Sequence, residues 1–217
     1  MMELLQVAKV YQKNSQRIIA LENITLTISR GEFVLVCGPS GSGKSTLLLT
    51  LGAMIQPSAG AVRFNGREIH RATEKERTLF RGQHLGFVFQ MFNLLPYMTV
   101  LENVLMGQVL RQPGDEATAR QWLERLHLQD RLQHKPSELS VGECQRVAMA
   151  RALIKKPRML LADEPTGNLD EANAGQILTA LSEYHRQGGT VVMVTHGSTR
   201  TIHADRTVYL EQGRLVA

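Results

Sequence analysis

Apolar residues make up 43% of this 217-residue chain, yet nowhere do they run unbroken for the roughly 18–20 positions that a membrane-spanning helix requires. Met1 to Val10 has Glu3 and Lys9 inside it and no apolar core of the secretory kind, so neither a leader nor a bilayer anchor is expected. Cysteine is scarce. Cys37 and Cys144 lie far apart in no metal-ligand spacing, which points to a reduced, cytoplasmic compartment. Aromatics are few, and no basic stripe interleaved with them appears. The 25 Lys and Arg against 20 Asp and Glu are scattered, so a mixed charged surface accounts for the excess and no nucleic-acid partner is expected. Internal repeats and low-complexity segments are also missing.

What is present is an alternation of strand and helix signals. Ile24, Leu26 and Ile28 alternate with polar residues, the period of a half-buried strand. Val62 and Phe64 alternate again, and Asn65-Gly66 supplies a tight turn before Arg67 to Ile69. Glu32 to Cys37 is a nearly continuous apolar run bounded by glycine, as a fully buried parallel strand would be. Thr99 with Glu102, and Ser140 with Glu143, read as capping boxes. They predict one helix starting at Thr99 and another running through Val147, Ala150 and Ile154; a further helix is predicted from Asp115 through Trp122 to Leu126. Met159 to Ala162 and Thr190 to Thr195 read as short strands with helical sequence around Gly175 to His185 between them. The order predicts a parallel α/β sheet with a helical insert.

Three positions carry chemistry at the ends of apolar runs. Gly38-Pro39-Ser40-Gly41-Ser42-Gly43-Lys44-Ser45, followed by Thr46, matches the P-loop pattern in full. Glycines let the backbone curl so that successive N–H groups face phosphate oxygens. Lys44 places a point charge on the β- and γ-phosphates, and the Ser45 hydroxyl reaches Mg²⁺. A buried strand precedes the loop and a helix start follows it, where the dipole favours an anion. Asp163-Glu164 follows the second run. Adjacent carboxylates are costly without compensating charge; with Mg²⁺ and Lys44 nearby, Asp163 would bind the metal through water and Glu164 would face the attacking water. Read alone, the pair also fits two surface carboxylates ending a strand. His196 ends the third run, at the strand edge where ligands collect in doubly wound sheets, and is placed to hydrogen-bond the γ-phosphate.

A P-loop leaves kinases, GTPases and helicases open. Leu139-Ser140-Val141-Gly142-Glu143 resembles the signature of ABC ATPases, and the resemblance covers essentially the whole chain. It implies that this segment contacts the γ-phosphate of a nucleotide held by an opposite subunit, with Ser140 offering a hydroxyl and Val141 and Gly142 their N–H groups. Two positions depart from the common Leu-Ser-Gly-Gly-Gln: Val141 stands for a glycine and is expected to hinder close approach. Glu143 stands for glutamine, and its carboxylate is expected to turn toward its own helix start. By the same resemblance Gln90, after Gly86 to Phe89, matches the Q-loop, whose glutamine reaches Mg²⁺ and the attacking water and links to the membrane partner. Asn168-Leu169-Asp170 matches the D-loop, and Tyr11 matches the aromatic that stacks on adenine, although an ordinary strand tyrosine fits the same position.

Within that family, Phe89 to Pro96 and Thr99 to Val104 resemble the lipoprotein-release, macrolide-export and FtsE-like group. Those ATPases serve permeases with few membrane helices, often by mechanical transmission. Met91, Phe92, Leu94 and Leu95 would suit a groove for a permease helix, or plain subdomain core. The resemblance implies one ABC ATPase domain over 1–217: an α/β P-loop NTPase with a RecA-like core and an N-terminal antiparallel β subdomain (1–90 and 157–217), and an inserted α-helical subdomain (91–156). It implies ATP and Mg²⁺ as ligands and a homodimer around two nucleotides. The partner would be a permease, reached from the cytoplasmic face of the inner membrane. The rival is a soluble ABC ATPase acting on nucleic acid or ribosomes. Against it, no heptad run for a coiled-coil arm is present, and ribosome-acting members typically carry two cassettes per chain. No Asn-Lys-x-Asp guanine-reading motif occurs either.

Overall fold

A computed structural model describes residues 1–13, 16–108, 113–196 and 203–216, apart from the Lys13 side chain. In chain order these residues form β1 (Met2–Lys13), β2 (Gln16–Ile28), β3 (Phe33–Cys37), α1 (Lys44–Leu51), β4 (Ala59–Phe64), β5 (Arg67–Glu68) and α2 (Glu74–His84). They continue with β6 (Leu85–Val88), α3 (Val100–Leu105), α4 (Asp115–Arg125), α5 (Val141–Leu153), β7 (Met159–Asp163), α6 (Glu171–Arg186), β8 (Thr190–Thr195), β9 (Arg206–Glu211) and β10 (Arg214–Val216). The elements gather into two compact units, Met1–Arg81 with Thr190–Ala217, and Gly82–Gly189.

In the first unit, β1 lies between β2 and β4 in an antiparallel sheet that β5 completes. The β4–β5 turn forms at Asn65-Gly66, both at positive φ, as hairpin twist demands. β3 runs parallel to both β8 and β9. Phe33, Val34, Leu35 and Val36 are all buried, because a strand covered on both faces has no polar side to alternate. α1 packs against β8, β1 and β2.

Two features of this unit are additions to the expected elements. The hairpin β9–β10 turns through Gln212-Gly213, both at positive φ; the less familiar Gln-Gly pair hides it in the sequence. α2 buries none of its residues, so it shows no core-facing stripe. Ion pairs of Glu74 with Arg77 and Arg81 and of Glu76 with Arg67, together with the Phe80 ring set edge-on to Phe64, hold it instead. Pairs such as these, with Arg63–Glu68 and Arg120–Glu116, intersperse the two signs of charge on the surface.

The second unit pairs β6 with β7 in parallel and packs α5 against β6, α3, α4 and α6. It contains all of 91–156 and extends beyond it to β6, β7 and α6. Both expected capping boxes are present, Thr99 with Glu102 and Ser140 with Glu143. α6 begins earlier than its apolar pattern suggests, at Glu171, because the Asp170 side chain caps it by accepting from the Asn173 amide.

Candidate active site

In the first unit the chain leaves β3 at Cys37, and the loop 38–43 leads into α1. A side chain at Gly38 would place its Cβ 2.0 Å from the Leu210 carbonyl oxygen, and one at Gly43 2.3 Å from that of Ala20. Gly43 also sits at φ 106, a conformation that glycine alone adopts without strain. The Lys44 side chain turns back into this curl. The residue is only 6% exposed, and its ammonium donates to the carbonyls of Gly38 at 2.8 Å and Pro39 at 2.9 Å. Gly43 offers α1 no side-chain cap, so no capping side chain stands between the start of this helix and an anion.

The Ser42 hydroxyl is buried without a hydrogen-bond partner, another donor that suits an anion. Burial pushes the Cys37 thiol up, opposed by the Lys44 charge, which keeps a neutral, unreactive group beside the loop. Ser40, Gly41 and Ser45 are exposed along it, and Thr46 is half-buried. Thr195 pairs in register with Cys37. His196 and Gly38 therefore leave neighbouring strands at the same edge.

The second unit has an edge of its own. Val88 pairs with Ala162, which brings Gln90, two residues on, and Asp163, one residue on, to the same end of the β6–β7 pair. Glu164 follows with φ 44, a left-handed conformation uncommon outside glycine. Its carbonyl accepts from the Gly167 amide at 3.1 Å. A Cβ at Gly167 would meet the Gln90 side-chain nitrogen at 3.3 Å and the Glu164 carboxylate at 3.6 Å. Gln90 and Glu164 thus flank one glycine.

The signature segment opens α5 in the same unit. The Ser140 hydroxyl accepts from the Glu143 amide at 3.2 Å, and the Glu143 carboxylate accepts from the Ser140 amide at 2.8 Å. Arg131 adds an ion pair to Glu143 at 2.9 Å, a partner 12 residues away that no local pattern announces. Val141 is 50% exposed, whereas Gly142 is buried against α6, where a Cβ would lie 2.3 Å from the Asn173 side-chain oxygen. Asn173 donates to the Asp170 carboxylate at 2.7 Å and accepts from Arg146. The start of α5 is thereby joined to Asp170, while Asn168 is exposed two residues earlier.

Tyr11 is exposed on β1, with the Lys9 ammonium 5.1 Å from its ring centre. Beyond Gln90, Met91 is 74% and Tyr97 69% exposed, with Phe92, Leu94 and Leu95 half-buried between them. The backbone beneath is held firmly. Arg151 on α5 donates to the carbonyls of Phe92 and Asn93, both at 2.6 Å. Fully buried Asn103 bonds Leu95 through both its amide and carbonyl, and also the carbonyls of Met98 and Thr99. Sequence reasoning finds neither anchor, because each acts through main-chain atoms distant in sequence.

Among the described residues no group of three or more His, Cys, Asp or Glu is placed to hold a metal by itself. In the first unit the Ser45 hydroxyl is a hard oxygen donor of the kind Mg²⁺ takes, and an ion that arrives on phosphate keeps waters and needs only one or two protein ligands.

A loop built this way holds a chain of phosphates, which places the protein among the P-loop nucleoside triphosphatases. Comparison with known proteins narrows the class. Residues 21–167 match the family model for ABC transporters. Across 100% of this chain, the lipoprotein-releasing system ATP-binding protein LolD of Geobacter metallireducens is 43% identical, with 98% of that protein covered. The macrolide export ATP-binding/permease protein MacB of Chlorobaculum tepidum is also 43% identical over 100% of the chain, which spans 34% of it. The ATP-binding cassette MJ0796, solved as a dimer in a post-hydrolysis state with ADP and Pi, superimposes with a TM-score of 0.94 at 38% identity, covering 100% of this chain and 97% of that one. The chain belongs to the ABC transporter family. It is an ATPase with the α/β fold of the family's cassettes. No helix among the described residues is long and apolar enough to cross a membrane.

Proposed function

We propose that this ATPase pairs head to tail with a second copy of itself around two MgATP and drives a separate integral-membrane permease of few-helix type. Work would be done at the cytoplasmic face of the inner membrane, as transport or as mechanical transmission. The observation that carries the reading is the buried Lys44 ammonium, fixed by two loop carbonyls at the uncapped start of α1. A cation held there is preorganised for the β- and γ-phosphates.

In this reading Gly38 to Thr46 cradle the phosphates and Tyr11 stacks on adenine. Ser45 and Gln90, with Asp163 through water, hold Mg²⁺, which neutralises phosphate charge when bound. Glu164 takes the proton of the attacking water, and His196 holds the γ-phosphate. From the opposite subunit Ser140, Val141, Gly142 and Glu143 close the site, while Asn168 and Asp170 communicate between the two sites. The exposed Met91 and Tyr97, on a backbone clamped from below, suit a permease helix. Support comes from the relatives: one takes its name from lipoprotein release, and another is an ATP-binding/permease protein.

Glu164→Gln is the test. Glutamine keeps the size of the side chain but accepts no proton, so phosphate release should fall by roughly two orders of magnitude, while MgATP still binds and an ATP-bound dimer accumulates on size-exclusion chromatography. Hydrolysis at the parent rate would remove Glu164 from this role. Loss of hydrolysis without dimerisation, even with the permease present, would count against the sandwich.

A further inference from the structure

Gln145 lies on α5, five residues past the Ser140 cap, and is 1% exposed. Its side-chain nitrogen donates to the Pro165 carbonyl at 2.8 Å. Since that partner is an acceptor, the orientation of the amide is fixed, and its oxygen is buried with no hydrogen-bond partner. An unpartnered buried amide oxygen is a cost that methionine of the same length would avoid. Packing alone does not explain a glutamine here.

What the bond holds is the turn after Glu164. Glu164 sits at φ 44 directly before a proline, a position where left-handed backbone must be imposed by its surroundings. Two contacts impose it: the Gly167 amide on the Glu164 carbonyl, and Gln145 on the next carbonyl along. The turn also sets the Glu164 carboxylate beside Gly167 and the Gln90 side chain.

We propose that Gln145 is a positioning residue for hydrolysis, which fixes the turn that aims Glu164 and ties that aim to the seating of the helix bearing Ser140. The proposal rests on Glu164 acting as the base. It makes the helix that presents Ser140 to one nucleotide the same helix that sets the carboxylate for the other. A carboxylate displaced by a fraction of an ångström loses rate without losing ligand.

Gln145→Met keeps length and volume but removes the donor. Its kcat for ATP should fall roughly 5- to 100-fold, with KM, calorimetric MgATP affinity and melting temperature close to those of the parent. In a Glu164→Gln background the same change should lower the residual rate no further, because both substitutions remove one function. Should Gln145→Met fail to fold, Gln145→Asn, an amide too short to reach Pro165, is read in the same way. A kcat within twofold of the parent overturns the proposal. So does a fall in kcat shared with binding and melting temperature, or one that adds in full to Glu164→Gln. If Glu164→Gln itself keeps the parent rate, the base assignment fails instead, and that single variant separates the two failures.

Discussion

The Glu143 carboxylate and the Ser140 hydroxyl each accept from the other's backbone amide, at 2.8 Å and 3.2 Å. The Glu143 carboxylate is thus engaged in starting its own helix, while the Ser140 hydroxyl, which only accepts there, keeps its own hydrogen to donate. The arrangement accommodates the acidic residue at a position where the family commonly has glutamine. The negative charge is directed at the positive end of α5 and at Arg131.

The Ser140 amide, and after it Arg131, hold the Glu143 carboxyl at about 2, well below its ordinary 4.5. A depressed carboxylate contributes stability at pH values above its unfolded pKa and loses it as pH falls through the folded one. The stability advantage of the parent over Glu143→Gln should therefore be full above about pH 4.5 and decline towards about pH 2. Urea titrations of both proteins across that range check this; a constant difference would mean that the charge contributes nothing.

Val141 projects from the signature with half its surface open, and in the proposed dimer its side chain would face the opposite nucleotide. Val141→Gly should increase ATP-driven dimerisation in the hydrolysis-deficient background, by sedimentation velocity with MgATP. A large fall in ATPase activity from this substitution would show that Val141 packs in the closed dimer.

Gly142 has no such freedom. Gly142→Ala drives a methyl group into Asn173 and should cost about 1–3 kcal/mol of unfolding free energy, the usual range for overpacking. Asn173→Ala in the same chain should recover part of that loss, since it removes the atoms struck. Chemical denaturation of the two single variants and the double variant closes the cycle; strict additivity would exclude the contact as the cause.

Tyr11 is exposed with Lys9 over its ring, and in the proposed reading that ring stacks on the base. Tyr11→Ala should weaken ATP and GTP alike by about 1 kcal/mol, several-fold in Kd, because stacking uses the ring face and not the base edges. Binding titrations with both nucleotides decide it. A loss confined to one of them would argue for edge recognition instead.

Elements whose cause is local are legible in the sequence. The capping residues at Thr99 and Ser140, the Asn65-Gly66 turn, the buried run of β3 and the P-loop spacing all act within a few residues, so pattern is enough to place them. What the sequence conceals acts across distance or without periodicity. α2 is held by ion pairs and one ring contact and has no apolar stripe to give it away. Arg131, Gln145, Asn103 and Arg151 hold partners 12, 20, 8 and up to 59 residues away, most through main-chain atoms whose residue identity is immaterial. The departure at position 141 is explained only by packing: Val141 faces outward and tolerates a side chain, while the glycine retained at 142 meets Asn173 and does not.

The segment after Gln90 is gripped by Arg151 and Asn103 almost wholly through its backbone, which leaves identity at Met91 and Tyr97 uncoupled from the shape that presents them. Such a platform is open to rewriting. In the proposed reading, substitutions on its outer face would alter which surface it fits without disturbing the support beneath it. A lineage of duplicated cassettes could acquire new clients one side chain at a time while retaining a common motor.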